Sequence, residues 1–302
     1  MARAVESYDV IDNPDDGTFT ADEIVAMSDK VDAIMPCHSE LFDASVSARL
    51  SERVKIIANH SVGVDHCDLN ALAARNIVVT NTPDVLSDAT AEIAILLMLA
   101  AARRASEGDR LVRSGEWKDW SPSFMVGMQT TGKRFGIIGM GRVGLVAAQR
   151  ARGFGMQIHY HNRREVAEAG DAIYHASVDA LLPHCDVLSI HCPVTEETKG
   201  LMTKERLALL PDGAIVVNTA RGGVIDDEAL IAGLKQGRPW AAGLDVFNDE
   251  PAIHPGYRSL DNVFLLPHIG SATRETRDAM GFRALDNLDA FFAGKTPIDQ
   301  LN

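Results

Sequence analysis

Apolar residues along this chain fall into short runs separated by segments of helical periodicity. Residues 31–35 (VDAIM), 54–58 (VKIIA) and 77–80 (IVVT) are brief and rich in β-branched side chains, which suits strands. Helical patterns lie between them, residues 69–75 included. Six more runs follow at residues 135–138, 157–161, 187–191, 214–218, 241–245 and 263–266. Most lack alternation of apolar and polar positions, as expected of parallel strands covered on both faces. Repeated strand–helix units of this kind predict an α/β fold. A long helix is expected from a cap at Asp88 through Arg104, and a last helix over 271–293. Between them a polar loop over 115–131 carries Trp117, Trp120 and Phe124. The longest apolar run, 93–102, is closed by Glu92 and Arg103 and is far too short to span a bilayer.

One junction is chemically specific. Residues 136–144 read GIIGMGRVG: a strand pattern meets Gly139, Met140, Gly141, Arg142, Val143 and Gly144, and an Ala-rich helical pattern follows over 145–152. G-x-G-x-x-G between a strand and a helix is a dinucleotide-binding turn. The first glycine permits the turn, the second lets backbone approach a pyrophosphate, and the third lets helix and strand pack closely. Amides at the helix N-terminus then face the phosphates. The expected architecture is two domains: a doubly wound Rossmann nucleotide domain, residues 99–271, inserted into a smaller flavodoxin-like substrate domain, residues 1–98 and 272–302. The second strand of the nucleotide domain ends in Asn162-Arg163-Arg164, where an NAD site usually presents a carboxylate. A carboxylate would repel a 2′-phosphate, whereas paired guanidiniums bind one through charge-assisted forks. NADP (as NADPH) is therefore the expected cofactor, with NAD used less efficiently.

Composition narrows the partners. With 302 residues and 46% hydrophobic content, the chain can fill two cores. Its net charge of −13 disfavours nucleic acid and anionic membrane surfaces, so any anion site must be built locally. Cys37, Cys67 and Cys192 adjoin histidines, but with Cys185 they form no C-x-x-C and match no zinc module. No metal is expected. The cysteines read as buried thiols of a reducing, cytoplasmic compartment, and the N-terminus carries no secretory pattern.

Three later segments each deliver a polar residue as a buried strand ends: NTARGG around Arg221, GLDVFNDEP with Asp245 and Glu250, and LPHIGSAT around His268. Ligands of open α/β sheets bind at the carboxyl ends of strands, so an arginine, a carboxylate and a histidine should converge beside the dinucleotide. With GMGRVG, and with SVGVDH (61–66), NTPDVL (81–86) and His191-Cys192-Pro193, these segments resemble the D-isomer-specific 2-hydroxyacid dehydrogenase family over nearly the whole chain. Within it the chain is most similar to the glyoxylate/hydroxypyruvate and 2-ketogluconate reductases, and the Asn162-Arg163-Arg164 turn fits that branch.

The resemblance implies roles. His268 is the proton donor in ketone reduction, and Glu250 orients its ring and favours its protonated form. Arg221 grips the substrate carboxylate and polarises the ketone. Backbone at Val62 and Gly63 binds that carboxylate, and Leu86 lines the pocket. Asp245 holds the nicotinamide amide, with His191, Cys192, Pro193, Thr219, Ala220 and Gly270 beside the cofactor. The small-molecule partner is a 2-oxo acid or its 2-hydroxy acid, and the protein is a homodimer built through the tryptophan loop and its flanking helices. One departure stands at the N-terminus, where residues 1–10 look like the end of a helix and the start of a strand, short of the family's usual opening. A phosphoglycerate dehydrogenase-like NAD enzyme and a dinucleotide-sensing binding protein are the alternatives on the same scaffold.

Overall fold

The computed structural model describes residues 2–302 and divides into two units, one running to Leu86 and resuming over Thr273–Asn302, the other Ser87–Ala272. In the first unit the three β-branched runs pair in parallel as β1 (Ala33–Ile34), β2 (Ile56–Ala58) and β3 (Val78–Thr80). Side chains alternate across this sheet. Ile57 and Val79 join Ile24, Phe42, Val46 and Leu72 on one face. Ile56 and Ala58 pack against Ala284, Leu285 and Leu288 of helix Arg274–Phe292 on the other. At the N-terminus residues Ala2–Ser7 are helical, but residues 8–10 are not the expected strand. Tyr8 instead donates to Asp289 at 2.6 Å and lies beside Phe292, so its apolar ring serves helix packing.

The second unit carries β4 (Arg134–Ile138), β5 (Gln157–His161), β6 (Ile173–His175), β7 (Val187–Ile190), β8 (Ile215–Asn218), β9 (Ala241–Leu244) and β10 (Val263–Leu265). They form one parallel sheet in the order β10-β9-β8-β7-β4-β5-β6, the doubly wound arrangement. Strand order reverses between β4 and β7, which opens a crevice at their carboxyl ends. Both faces are covered, which explains the unbroken apolar runs. Phe135, Ile137, Val187, Ile215 and Val217 meet Ala91, Leu97, Met98, Ala147 and Ala151 on one side. Ile138, Leu188, Ile190 and Val216 meet Leu181, Leu207, Leu230 and Leu234 on the other.

Four expectations need correction. The sheet has seven strands rather than six, because β6 is a three-residue edge strand whose Ile173 is 51% exposed and leaves no apolar run. The first unit boundary falls at 86/87, not 98/99, since the whole of helix Ser87–Ala102 packs on the larger sheet. Asp88 lies inside the first turn of that helix rather than capping it, and pairs with Arg150 at 2.8 Å. The helix stops at Ala102; Arg104, at φ 54°, leads into a second helix, Ala105–Ser114, that buries no residue. No helix among the described residues is long and apolar enough to cross a membrane.

Candidate active site

The glycine turn sits at the carboxyl end of β4, beside the strand-order reversal. Gly139 has φ +95°, and a Cβ there would lie 2.7 Å from the Cys192 amide nitrogen. Only glycine meets both demands. A Cβ on Gly144 would lie 2.4 Å from the Gly139 carbonyl oxygen, so the third glycine seats helix Arg142–Gly153 on the turn. Gly141 caps that helix in extended conformation, and a Cβ on it would meet nothing within 4 Å. Open space at the turn and a helix dipole fit a pyrophosphate. Met140 is buried in the core beneath the turn, while Arg142 and Val143 open the helix.

The next strand end supplies Asn162, Arg163 and Arg164. Both arginines are exposed; the Asn162 carbonyl accepts from the Tyr174 hydroxyl at 3.4 Å, and His161 Nδ1 bonds the His175 carbonyl at 2.8 Å. β6 thus braces the turn from the sheet edge. After β7, His191 bonds Ser189 at 2.8 Å through Nε2, and desolvation lowers its pKa to about 4. Its ring is neutral at pH 7. Burial pushes the neighbouring Cys192 thiol up to about 11, so it too is uncharged. Pro193 follows, and its carbonyl accepts from Thr198 at 2.6 Å.

Three further strand ends deliver the reactive groups. After β8, the Asn218 amide donates to the Arg221 carbonyl at 2.8 Å and its oxygen accepts from the Ala220 amide at 3.0 Å, which shapes the Thr219-Ala220-Arg221 turn. The Arg221 guanidinium donates to the Ala220 carbonyl at 2.7 Å. After β9, Asp245 is 1% exposed. Its Oδ1 accepts from the Ile269 amide at 2.8 Å, and its Oδ2 has no hydrogen-bond partner among the described residues. Burial, partly offset by that amide, raises its pKa above the usual carboxylate range. A buried oxygen without a donor is costly and calls for one from a ligand. Gly270 lies against it, where a Cβ would come within 3.2 Å of Oδ2.

After β10, His268 stands at φ 53°, held by its amide's bond to the Asp245 carbonyl at 2.8 Å. Its Nδ1 donates to Glu250 Oε2 at 2.6 Å, while Glu250 Oε1 accepts from the Phe247 amide at 2.7 Å. The pair is about one-quarter exposed on each side. The loops carrying Arg221 and Glu250 touch backbone to backbone at Gly222, where a Cβ would fall 1.9 Å from the Phe247 carbonyl carbon. A cation, a carboxylate-backed imidazole and an orphaned carboxylate oxygen thus lie on consecutive strand ends of one sheet. Together they can bind an anion, move a proton and hold an amide.

Val62, Gly63 and Leu86 belong to the other unit. Val62 and Gly63 follow β2, where the Val62 carbonyl accepts from Asn81 at 2.8 Å and the Gly63 carbonyl from the Ser61 hydroxyl at 2.7 Å. Leu86 is half-buried ahead of helix Ser87–Ala102. Sequence reasoning missed the supporting residues Asn218, Asp227, Asn248 and Tyr257. Their only signal is polar character beside a strand end or helix head.

The family model of the D-isomer specific 2-hydroxyacid dehydrogenase NAD binding domain matches residues 95–270. The chain is 44% identical over 298 residues to glycerate dehydrogenase from Hyphomicrobium methylovorum, covering 97% of this chain and 92% of that protein. It is 43% identical over 279 residues to glyoxylate reductase from Thermococcus litoralis, covering 90% and 84%. The solved structure of the NADPH-dependent glyoxylate/hydroxypyruvate reductase from Sinorhizobium meliloti, in complex with NADP and malonate, matches with a TM-score of 0.82 at 33% identity, covering 91% and 85%.

Proposed function

Because this chain belongs to the D-isomer-specific 2-hydroxyacid dehydrogenase family, and so is an NAD(P)-dependent oxidoreductase, we propose that it reduces a small 2-oxo acid to the D-2-hydroxy acid, preferring NADPH. Glyoxylate, hydroxypyruvate and 2-ketogluconate are the candidate substrates. The observation that carries this reading is the 2.6 Å His268–Glu250 pair, set through the His268 amide against the buried Asp245.

The bound dinucleotide supplies the hydride. The chain supplies alignment and electrostatics. Gly139, Met140, Gly141, Arg142, Val143 and Gly144 would cradle its pyrophosphate, while His191, Cys192, Pro193, Thr219 and Ala220 would form the neighbouring wall. Asp245, whose Oδ2 lacks a donor among the described residues, would hold the nicotinamide carboxamide, beside Gly270. Arg221 holds the substrate carboxylate as a planar, charge-matched contact. His268 Nε2 gives its proton to the ketone oxygen, and Glu250 stabilises the protonated ring through Nδ1.

Cofactor preference rests on Asn162, Arg163 and Arg164. No carboxylate stands at Asn162 to repel a 2′-phosphate, and two exposed guanidiniums follow it. Trp117 and Trp120, 55% and 75% exposed, support a homodimer joined through their loop. The test is a panel of 2-oxo acids with NADPH and NADH, repeated with Arg163→Ala. NADPH oxidation should dominate in the parent, and the substitution should raise the KM for NADPH alone. Equal use of both cofactors by the parent refutes the preference, and no turnover with any 2-oxo acid refutes the reaction.

A further inference from the structure

The segment that carries Glu250 has two ends, and one carboxylate ties both. Asp227 stands in the first turn of helix Asp227–Gln236, which is capped by Asp226. Its Oδ1 accepts from the Tyr257 hydroxyl at 2.7 Å, and its Oδ2 accepts from the Asn248 amide at 2.9 Å. Asn248 precedes Glu250 by two residues, and Tyr257, only 1% exposed, closes the loop beyond Pro251. The same Asn248 amide also donates to the Ile225 carbonyl at 3.3 Å. Both donors are spoken for, and the acceptor is ionic, which makes these bonds stronger than neutral ones. Asp249, between Asn248 and Glu250, adopts φ 57°, a conformation for a non-glycine that persists only where the surroundings fix it.

We propose that Asp227 is a positioning residue of this site: by clamping Asn248 and Tyr257 to the helix head, it sets the Glu250 carboxylate against the His268 ring. It touches neither substrate nor cofactor and acts only through Glu250. The inference rests on the reading of Glu250 and His268 as the proton-transfer pair, and the loop geometry itself does not depend on which 2-oxo acid is reduced.

The experiment compares the parent, Asp227→Ala, and the double variant Asp227→Asn/Asn248→Asp. The double variant rebuilds the 2.9 Å contact with donor and acceptor exchanged and leaves an oxygen for the Tyr257 hydroxyl, but gives up the longer 3.3 Å bond from residue 248 to the Ile225 carbonyl. Three readouts are taken: kcat and its pH profile with the best 2-oxo acid, the Kd for NADPH, and the proton NMR resonance of the His268 ring N–H shared with Glu250, assigned by its loss in His268→Asn. In Asp227→Ala, kcat should fall roughly 10- to 100-fold, as for a displacement near 1 Å. The alkaline limb of the profile should move toward acid, the ring resonance should broaden or vanish, and NADPH binding should persist. The double variant should recover part of the lost kcat and restore the resonance, short of the parent because the Ile225 carbonyl has lost its donor. A parent-like kcat and resonance in Asp227→Ala overturns the proposal. So does a folded double variant that recovers neither, including where Asp227→Ala itself fails to fold. A parent that turns over no 2-oxo acid refutes the functional reading instead, and the resonance then still decides whether Asp227 sets the pair.

Discussion

Replacing Gly222 by alanine should disable this site without changing a single reactive group. Gly222 lies where the Arg221 turn meets the Phe247–Glu250 loop, and an added Cβ would stand 1.9 Å from the Phe247 carbonyl carbon, 2.2 Å from its oxygen and 2.3 Å from the Asn248 nitrogen. All three are backbone atoms, so no side chain can swing aside. Comfortable carbon contacts begin near 3.5 Å, so the two loops must part by roughly 1.5 Å. That displacement separates the guanidinium from the carboxylate–imidazole pair, and misplacement of about 1 Å can cost on the order of 100-fold in rate. Overpacking of this kind also costs about 1–3 kcal/mol of stability. The assay is kcat/KM for 2-oxo acid reduction, alongside the NADPH Kd and Tm. The expected result is a loss of about 100-fold in kcat/KM with a far smaller change in NADPH binding. Gly223→Ala is the control, since its Cβ would come no closer than 3.3 Å, to a Val194 methyl that can yield. A Gly222→Ala protein with the parent's kcat/KM would refute the reasoning.

Two further outcomes are expected. Tm should fall as pH drops from about 6.5 to about 4, because burial lowers His159 and His191 to about 4 from an ordinary 6.5. Over that window the unfolded chain takes up protons that the folded one refuses, so stability is present above it and lost through it. His159 is crowded by His175, His184 and Arg134, all opposing its charge, with only Asp186 favouring it, and His159→Gln should flatten the slope; a Tm independent of pH there counts against the assignment. Trp120→Ala should lower activity or shift the native mass toward the monomer, and unchanged kinetics and mass would count against a dimer through that loop.

What was legible in the sequence is what the backbone itself demands. Gly139 and Gly144 are dictated by a positive φ and by contacts under 3 Å, so the glycine turn reads directly as a motif. Arg221, Glu250 and His268 read as a set because buried parallel strands announce their ends. The edge strand β6 was not legible, since its short, partly exposed segment leaves no unbroken apolar run. The run 93–102 is equally apolar whichever sheet it covers, so only packing placed helix Ser87–Ala102 with the nucleotide sheet. The clamp at Asp227 joins residues 21 and 30 positions away, a spacing with no periodic signature.

The division of the chain also orders its birth. Ser87–Ala272 is continuous and can collapse as it leaves the ribosome, whereas β2 keeps one bare face until Ala284, Leu285 and Leu288 are synthesised. The small sheet therefore waits, apolar and unfinished, through the translation of everything between. A stalled or C-terminally nicked chain should hold a formed nucleotide unit tethered to an incomplete partner, the species a chaperone or protease would find first.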